Sequence, residues 1–194
     1  MRISAGQLKG RKVAFQRIFS KKGGADDVRP TSAKVREALF DILRNDIQDA
    51  LFLDLYSGTG AVGFEALSRG ARKVVFVELN QKLHRSIVDC IGRIGLSDKA
   101  EVHRSKVIDF IRRSGSFGFG FDIIFADPPY ASEEAAQLAP LVDGSGLLRE
   151  GGCLVIEHAA RSAVDRAPAG TLRHVKDYRY GDTMLTLYRK GTPS

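Results

Sequence analysis

The amino-acid sequence is poor in the residue types that form disulfides and metal sites. Among its 194 residues there is no tryptophan, and there are only two cysteines. Cys90 and Cys153 lie in apolar segments, and neither has another Cys or His at ligand spacing. We therefore expect two buried thiols in a reducing cytoplasm, no disulfide and no metal ion.

Long hydrophobic runs are missing too. None approaches the roughly 18 residues that a transmembrane helix requires, and the segment Met1–Gly6 lacks the apolar core of a secretory signal. A hydrophobic content of 43% and a charged content of 27% are ordinary for a soluble globular protein. The length fits one domain with a short appendage, and we expect a monomer because no long apolar seam is left over.

Positive charge is present in excess, and it is concentrated at one end of the chain. The net charge is +7. Residues 1–44 hold 11 Lys and Arg against 4 Asp and Glu, whereas the remaining 150 residues hold 19 of each sign. This pattern predicts a basic N-terminal extension, residues 1–44, that binds a polyanion, and a core of balanced charge, residues 45–194. A solvated basic surface without a partner is the alternative.

Strand and helix patterns alternate from Leu51 onward. The expected strands are Leu51–Leu55, Lys73–Val77, Ala100–His103, Phe121–Asp127 and Gly152–Glu157, and the expected helices are Ala61–Arg69, Gln81–Ile94, Val107–Arg112 and Glu133–Val142. Such alternation predicts an α/β protein with a mostly parallel sheet that is covered on both faces.

The two ends of the chain have patterns of their own. Gly181-Asp182 joins the expected strands Arg173–Tyr180 and Thr183–Arg189 in a hairpin, so the sheet should finish with an antiparallel strand. In the extension, Arg2–Ser4 should pair with Lys12–Phe15 in a basic β-hairpin, and a helix should run over Ser32–Leu43 with Ser32 as its N-cap. The outline of the core resembles the Rossmann-like fold of methyltransferases that use S-adenosylmethionine (SAM).

A glycine-rich loop, residues 54–63, follows the first core strand. It reads Asp-Leu-Tyr-Ser-Gly-Thr-Gly-Ala-Val-Gly and contains a full G-x-G-x-x-G, and Glu78 ends the next strand twenty residues after Gly58. Glycines permit a tight turn and close backbone approach, and the acidic residue can accept hydrogen bonds from ribose hydroxyls. By spacing alone, a dinucleotide such as NAD fits as well as SAM.

The charge of Asp54 separates these two cofactors. At 4 Å and an effective dielectric constant of ~20, its carboxylate would oppose a pyrophosphate by about 4 kcal/mol per charge pair. SAM carries an ammonium and a sulfonium group, so the same carboxylate would favour it. The sequence therefore favours SAM.

Asp127-Pro128-Pro129-Tyr130 follows the apolar strand that begins at Phe121. Two prolines fix φ and remove two N–H donors, which leaves carbonyl oxygens free beside a carboxylate and a flat ring. This set suits a planar base with an exocyclic amino group, on which Tyr130 would stack. A strand-ending turn without function is the alternative. Because the carboxyl ends of parallel strands meet at one crevice, the donor and acceptor sites should converge.

Nearly the whole chain resembles the RsmD family, bacterial methyltransferases of guanine N2 in small-subunit ribosomal RNA. The segments that carry the resemblance are Arg2–Gly6 with Lys9–Arg11, Arg29–Thr31 with Val35–Glu37 and Leu39-Phe40, the Gly58 loop with Glu65–Ala71, Val77–Asn80, Asp127–Tyr130 and Tyr180–Thr183. The resemblance implies methyl transfer from SAM to guanine 966 of 16S rRNA, in an assembled or assembling ribosomal particle.

The resemblance also implies a role for each matching residue. The catalytic residues would be Asp127, Pro128, Pro129 and Tyr130. The residues that contact SAM would be Arg29, Thr31, Asp54, Tyr56, Ser57, Gly58, Gly60, Glu78, Leu79 and Ser105. The resemblance places Arg36 beside the RNA, and the positive charge of the extension makes seven other residues candidates for RNA contact: Arg2, Lys9, Arg11, Lys12, Arg17, Lys21 and Lys22. Lys106 departs from the family, which usually has Asp or Asn near the adenine ring, so that contact would shift to Ser105 or to a backbone group.

Two other functions are compatible with parts of the sequence. Asp-Pro-Pro-Tyr also occurs in DNA adenine-N6 methyltransferases, although this short chain leaves little room for a target-recognition region. A non-enzymatic RNA-binding scaffold with a relic methyltransferase fold would also explain the basic extension. Intact cofactor and acceptor motifs favour an enzyme that needs neither a metal nor a covalent enzyme intermediate.

Overall fold

The chain folds around one central sheet. The computed structural model describes residues 2–11, 13, 32–113, 120–129, 134–162, 164–166 and 170–191. Within these residues the helices are α1 (Ala33–Ile42), α2 (Ala61–Ser68), α3 (Gln81–Ile94), α4 (Val107–Arg112) and α5 (Glu134–Ser145). The strands are β1 (Leu51–Leu55), β2 (Lys73–Val77), β3 (Ala100–His103), β4 (Phe121–Ala126), β5 (Leu148–Ala159), β6 (Leu172–Tyr180) and β7 (Thr183–Lys190).

The order of the strands confirms the predicted mostly parallel sheet with an antiparallel C-terminal strand. The order is β3-β2-β1-β4-β5-β7-β6. Strands β1 to β5 pair in parallel, and β7 runs antiparallel between β5 and β6. The chain order reverses at β1, which has β2 on one side and β4 on the other. In an open parallel sheet, the crevice at the carboxyl ends of such strands is where ligands bind.

Two apolar layers sandwich the sheet because side chains alternate between its faces along each strand. Phe52, Phe76 and Phe125 pack with α1, α2 and α3 on one face, here named the α2 face. Leu53 and Ile124, with their equivalents on the other strands, pack with α4 and α5 on the opposite face, here named the α5 face. Cys90 and Cys153 are both buried free thiols, which confirms that expectation.

Strand β5 begins four residues earlier than predicted. Leu148 pairs with Phe121, and the register then shifts before Cys153 pairs with Ile123. The segment Arg149–Gly151 in this irregularity is polar and exposed, unlike the apolar strand that follows it. A Cβ on Gly152 would lie 2.9 Å from the carbonyl oxygens of Arg149 and Asp122. The irregularity therefore requires glycine at residue 152.

The N-terminal extension lies against α2. Ile3 N donates to Arg11 O at 3.2 Å and Gly10 N donates to Ile3 O at 3.0 Å, so the pairing reaches Arg11, one residue before the predicted partner Lys12–Phe15. Of that predicted partner, only Val13 lies among the described residues. Ser32 caps α1 as predicted, since Val35 N donates to its Oγ at 3.2 Å. Among the described residues, no helix combines the length and the apolar character needed to cross a bilayer.

Candidate active site

The carboxyl ends of β1, β2 and β4 bring three acidic side chains together. Leu55 pairs with Val77 on one side and with Ala126 on the other, so Glu78 and Asp127 follow at the same level of the sheet. Burial raises the pKa of Asp54 to about 8, against the effect of a backbone hydrogen bond and reinforced by the negative charges of Asp127 and Glu78. Asp54 lies between Leu53 and Leu55 of the α5 face, so its side chain is on the α2 face, where the charges of Asp127 and Glu78 affect its ionisation.

The loop after β1 is shaped by its glycines. Gly58 and Gly60 have φ values of 54° and 74°, in the left-handed region that favours glycine. Gly60 is also the N-cap of α2. A Cβ on Gly63 would lie 2.2 Å from Cε1 of Phe76, so this glycine lets α2 pack closely against β2. The three glycines thus have the turn, approach and packing roles expected of a nucleotide-binding loop.

Ser57 fixes the same loop to two strands. Its Oγ donates to Asp54 O at 2.6 Å and accepts from Val77 N at 3.0 Å. Its backbone N–H donates to Val77 O at 3.0 Å. Ser57 therefore lies at the predicted cofactor loop, where its hydroxyl stabilises the turn.

Asp54 is more deeply buried than Ser57 and Glu78, two other predicted cofactor contacts. Its side chain is 1% exposed, and its Oδ2 accepts a hydrogen bond from Gly63 N at 3.0 Å. With a pKa near 8, the carboxyl group is largely protonated at neutral pH in the protein without a ligand. A cationic ligand beside it would favour the ionised form.

Glu78 joins the end of β2 to the glycine-rich loop. Oε2 accepts from Gly58 N and Oε1 accepts from Asn80 N, both at 2.7 Å. Burial raises its pKa, in opposition to these backbone hydrogen bonds. A carboxylate has about four lone-pair sites, so both oxygens keep the capacity to accept ribose hydroxyls. Beside it Leu79 is 57% exposed and offers an apolar surface to a flat ring.

Ser105 follows β3 at the edge of the site. Its Oγ donates to Lys106 O at 3.0 Å and accepts from Arg113 Nη2 at 2.9 Å. The hydroxyl hydrogen is therefore engaged locally, while one acceptor position is left for an amine. The exposed Lys106 stands at the N-cap of α4.

Tyr56 makes a contact that sequence reasoning missed. This residue has a φ of 59°, and its hydroxyl donates to the carboxylate of Glu134 in the first turn of α5. Burial and the Glu134 carboxylate raise the pKa of Tyr56. The contact ties the glycine-rich loop to the helix that follows the Asp127 segment. No sequence signal pairs residues 78 positions apart.

The predicted acceptor corner is described in part. Asp127 is half-buried, Pro128 is buried and Pro129 is exposed, so the corner runs from the interior to the surface. Tyr130 lies outside the described residues, as do the predicted cofactor contacts Arg29 and Thr31.

The predicted RNA contacts divide into three groups. Arg2, Lys9 and Arg11 are exposed. Four lie outside the described residues: Lys12, Arg17, Lys21 and Lys22. Arg36, the remaining predicted RNA contact, is buried. It is 5% exposed, and its Nε lies 3.8 Å from Oε2 of the buried Glu65.

Glu65 is the second group that sequence reasoning missed, and it anchors the N-terminal extension. Its fully buried carboxylate accepts from Ser4 N at 2.9 Å, Ser4 Oγ at 2.6 Å, Ala5 N at 3.0 Å and Arg69 Nε at 3.0 Å. Burial opposes ionisation, but the hydrogen bonds from Ser4 and Arg69 lower the pKa of Glu65 overall. Since α2 begins at Gly60, one helix connects the cofactor loop with the basic extension.

The described residues contain no group of three or more His, Cys, Asp or Glu side chains arranged to hold a metal ion. Two of the acidic side chains near the loop accept backbone hydrogen bonds, Glu78 from Gly58 N and Asp54 from Gly63 N.

Comparison with known proteins identifies the family. Residues 1–189 match the family model described as "Conserved hypothetical protein 95". The chain belongs to this family, the RsmD family. Ribosomal RNA small subunit methyltransferase D of Haemophilus influenzae is 32% identical over 81% of this chain and 78% of its own length. The protein of the same name from Escherichia coli is 27% identical over 98% and 90% of the two chains.

A solved structure extends the likeness to the fold. The structure of yhhF, a candidate methyltransferase of Escherichia coli, is 27% identical and has a TM-score of 0.84 over 100% of this chain and 99% of that chain. Together with the order of the strands, this likeness confirms the predicted methyltransferase fold of this RsmD family member.

Proposed function

We propose that the protein transfers a methyl group from SAM to the exocyclic N2 of a guanine in small-subunit ribosomal RNA. The observation that carries the proposal is the convergence of Asp127 with the glycine-rich loop. The strands β1 and β4 are direct neighbours, and the charge of Asp127 affects the ionisation of Asp54. A methyl donor held by the loop would thus lie beside the acceptor corner. The names of the relatives support ribosomal RNA as the substrate.

Residues of the glycine-rich loop and residues after β2 would contact different parts of SAM. Asp54 would hold the cationic end, since its carboxyl group is buried and ionises most readily beside a positive charge. Glu78 would accept the ribose hydroxyls, and the exposed Leu79 would cover the adenine ring. The sulfonium group of SAM supplies the electrophilic methyl.

The acceptor corner would activate the amine of the base. The N2 lone pair of guanine is delocalised into the ring and is a poor nucleophile. If Asp127 and the Pro128 carbonyl accept the two amine hydrogens, the lone pair becomes localised and points at the methyl group. Positive charge that develops on nitrogen is stabilised by the same two acceptors, and the rest of the rate increase comes from orientation. Tyr130 would stack on the base, and this contact would contribute ~1–3 kcal/mol to the binding free energy.

The exposed cations of the extension would bind the RNA backbone. Arg2, Lys9 and Arg11 point to solvent on a segment that Glu65 holds against α2. Phosphate contacts position a nucleic acid without reading its sequence and make affinity depend on salt. Replacing these three residues by Gln should therefore weaken RNA binding. The slope of log Kd against log salt should become shallower by about 0.7–0.9 for each phosphate that is no longer bound.

A direct assay of the product tests the proposal. The protein is incubated with SAM and, separately, with assembled small ribosomal subunits, free 16S rRNA or duplex DNA, and the methylated nucleosides are identified by mass spectrometry. We expect N2-methylguanosine in ribosomal RNA, because this is the product of a methyltransferase that acts on N2 of guanine. N6-methyladenine in DNA would identify the adenine-specific alternative, and a failure to bind SAM would revive the RNA-binding scaffold.

A further inference from the structure

A fourth carboxylate lies on the same face of the sheet as the acceptor corner. Ala126 pairs with Ile156 where β4 and β5 run side by side, so Asp127 and Glu157 come next on the two strands. The residue two positions before Glu157, Val155, packs on the α2 face. The pairing of β5 with β7 is uninterrupted from Cys153 to Ala159, so Glu157 lies on that face as well.

The position of Glu157 is unusual for a charged residue. It is 3% exposed, and its cross-strand partner is the buried Leu185. Among the described residues, Val155 and Leu185 are apolar neighbours of Glu157, and Asp127 follows at the same level on the adjacent strand. Carboxylates are rarely buried to this extent, because burial penalises their charged form. Neighbouring strands lie only about 4.8 Å apart, so a group that contacts Asp127 is within reach of the longer Glu157 side chain.

A second hydrogen-bond acceptor beside Asp127 could distinguish guanine from other bases that carry an amino group. Guanine carries an N1–H donor beside its N2 amine, whereas 2-aminopurine has the same amine beside an N1 acceptor. Adenine likewise has an N1 acceptor beside its N6 amine. A carboxylate next to Asp127 accepts from N1–H of guanine and opposes the lone pair at N1 of the other two bases.

We propose that Glu157 is a specificity-determining residue that accepts the N1–H of the target guanine while Asp127 accepts the amine. The inference rests on the proposed function, because it concerns the base that occupies the same corner. Sites built to hydrogen-bond a substrate group reject an analogue that lacks it by as much as 10⁴–10⁵-fold. A preference of about 100-fold or more for guanine over 2-aminopurine is therefore expected from a single carboxylate contact.

The test compares bases that differ at N1 and O6 but share the amine. Small subunits are reconstituted with 16S rRNA that carries either guanine or 2-aminopurine at the nucleotide that mass spectrometry shows to be methylated. Single-turnover methyl transfer is measured for the wild type, Glu157→Gln and Glu157→Asp. Glu150→Gln is the matched control, since Glu150 is an exposed residue of the same strand. SAM affinity and thermal stability are measured for each variant.

The wild type should prefer guanine, and Glu157→Gln should reduce the ratio of the two rates at least tenfold, because an amide can donate to N1 of 2-aminopurine. Glu157→Asp should be slower on guanine but keep the preference, since it keeps the carboxyl group. The control should match the wild type. An unchanged ratio in Glu157→Gln, with guanine still methylated, would overturn the inference and leave the proposed function intact. No transfer to guanine by the wild type would overturn both.

Discussion

The carboxylate of Asp54 accepts a hydrogen bond from the backbone N–H of Gly63 at 3.0 Å. This contact joins the end of β1 to the first turn of α2 across the glycine-rich loop. It leaves the carboxyl group buried, with Asp127 and Glu78 as the nearby negative charges, and the pKa rises to about 8. A cation that binds beside Asp54 should therefore bind in a way that depends on pH.

The first prediction concerns that dependence. The Asp54 carboxyl is protonated below about pH 8 in the free protein, and a cation lowers its pKa, so binding of SAM releases a proton. The affinity contributed by this group should rise up to tenfold per pH unit and level off above pH ~8. Calorimetry in buffers of different ionisation enthalpy measures the released proton. Asp54→Asn, the control, should bind more weakly and release none. Proton release by Asp54→Asn equal to that of the wild type would refute the assignment.

Asp54 affects folding stability in the opposite direction: as pH rises, SAM should bind more tightly, but the free energy of unfolding without SAM should fall. In the unfolded chain Asp54 ionises near its ordinary pKa of 3.8, whereas in the folded protein it ionises near 8. Between these values the folded state binds more protons, so this group lowers the free energy of unfolding as pH rises. Saturating SAM should accordingly raise the melting temperature of the wild type more at pH 8 than at pH 6. In Asp54→Asn this difference between the two pH values should disappear.

The second prediction compares two glycines that sit in helices. In Gly63→Ala the new Cβ would lie 2.2 Å from the ring of Phe76, so α2 must move away from β2. We expect a loss of roughly 1–3 kcal/mol in the free energy of unfolding, as for other overpacked sites, and weaker SAM binding. Gly92→Ala in α3 meets nothing within 4 Å and should stabilise the protein by ~0.5–1 kcal/mol through helix propensity. Urea unfolding measures both, and equal effects would contradict the packing role of Gly63.

The third prediction concerns the anchor of the basic extension. Glu65→Ala leaves Arg36 buried without its carboxylate, and breaking such a buried pair costs ~3–5 kcal/mol. The amide hydrogens of Ser4 and Ala5 should exchange faster and RNA affinity should fall. Glu101→Ala breaks the Lys73 pair, whose side chains are 36% and 41% exposed, and should cost at most ~1 kcal/mol. Unchanged exchange at Ser4 in Glu65→Ala would show that the extension is held by other contacts.

The fourth prediction concerns acid stability at the C-terminal hairpin. Asp177 accepts from Arg166 Nε at 2.7 Å and from Thr186 Oγ1 at 2.8 Å. Although burial opposes ionisation, these bonds and His174 lower its pKa from 3.8 to about 2. Its stabilisation is complete above pH ~4 and is lost as pH falls towards 2. Asp177→Asn should therefore lower the free energy of unfolding by ~1–2 kcal/mol at pH 7 and by much less at pH 2. Asp182→Asn in the turn should change it little, and a pH-independent loss would argue against the ionised contact.

Much of the fold could be predicted from the sequence because its signals are local. The side chain of Ser32 caps α1, and the glycines at 58 and 60 adopt positive φ, as those residue types favour. The convergence of Asp54, Glu78 and Asp127 could also be predicted, since parallel strands bring their carboxyl ends to one edge.

The contacts that the sequence did not reveal join residues far apart in the chain. Ser4 and Glu65 are 61 residues apart and Tyr56 and Glu134 are 78 apart. Such partners are set by strand order and helix packing, which no local pattern encodes. Arg36 was predicted to contact RNA from the resemblance to the RsmD family, and no sequence pattern indicated that it is buried. Only the buried carboxylate of Glu65, which lies on another helix, accounts for its place in the interior.

The measurement that separates chemistry from cofactor binding is single-turnover methyl transfer by Asp127→Ala, compared with calorimetric SAM affinity of the same variant. Asp89→Ala, at an exposed position of α3, is the control. If Asp127 accepts the amine hydrogens, transfer to ribosomal RNA should fall by about 10²–10³-fold, while SAM affinity stays within a few-fold of the wild type. Equal losses of transfer and SAM affinity, or no loss of transfer, would contradict this role.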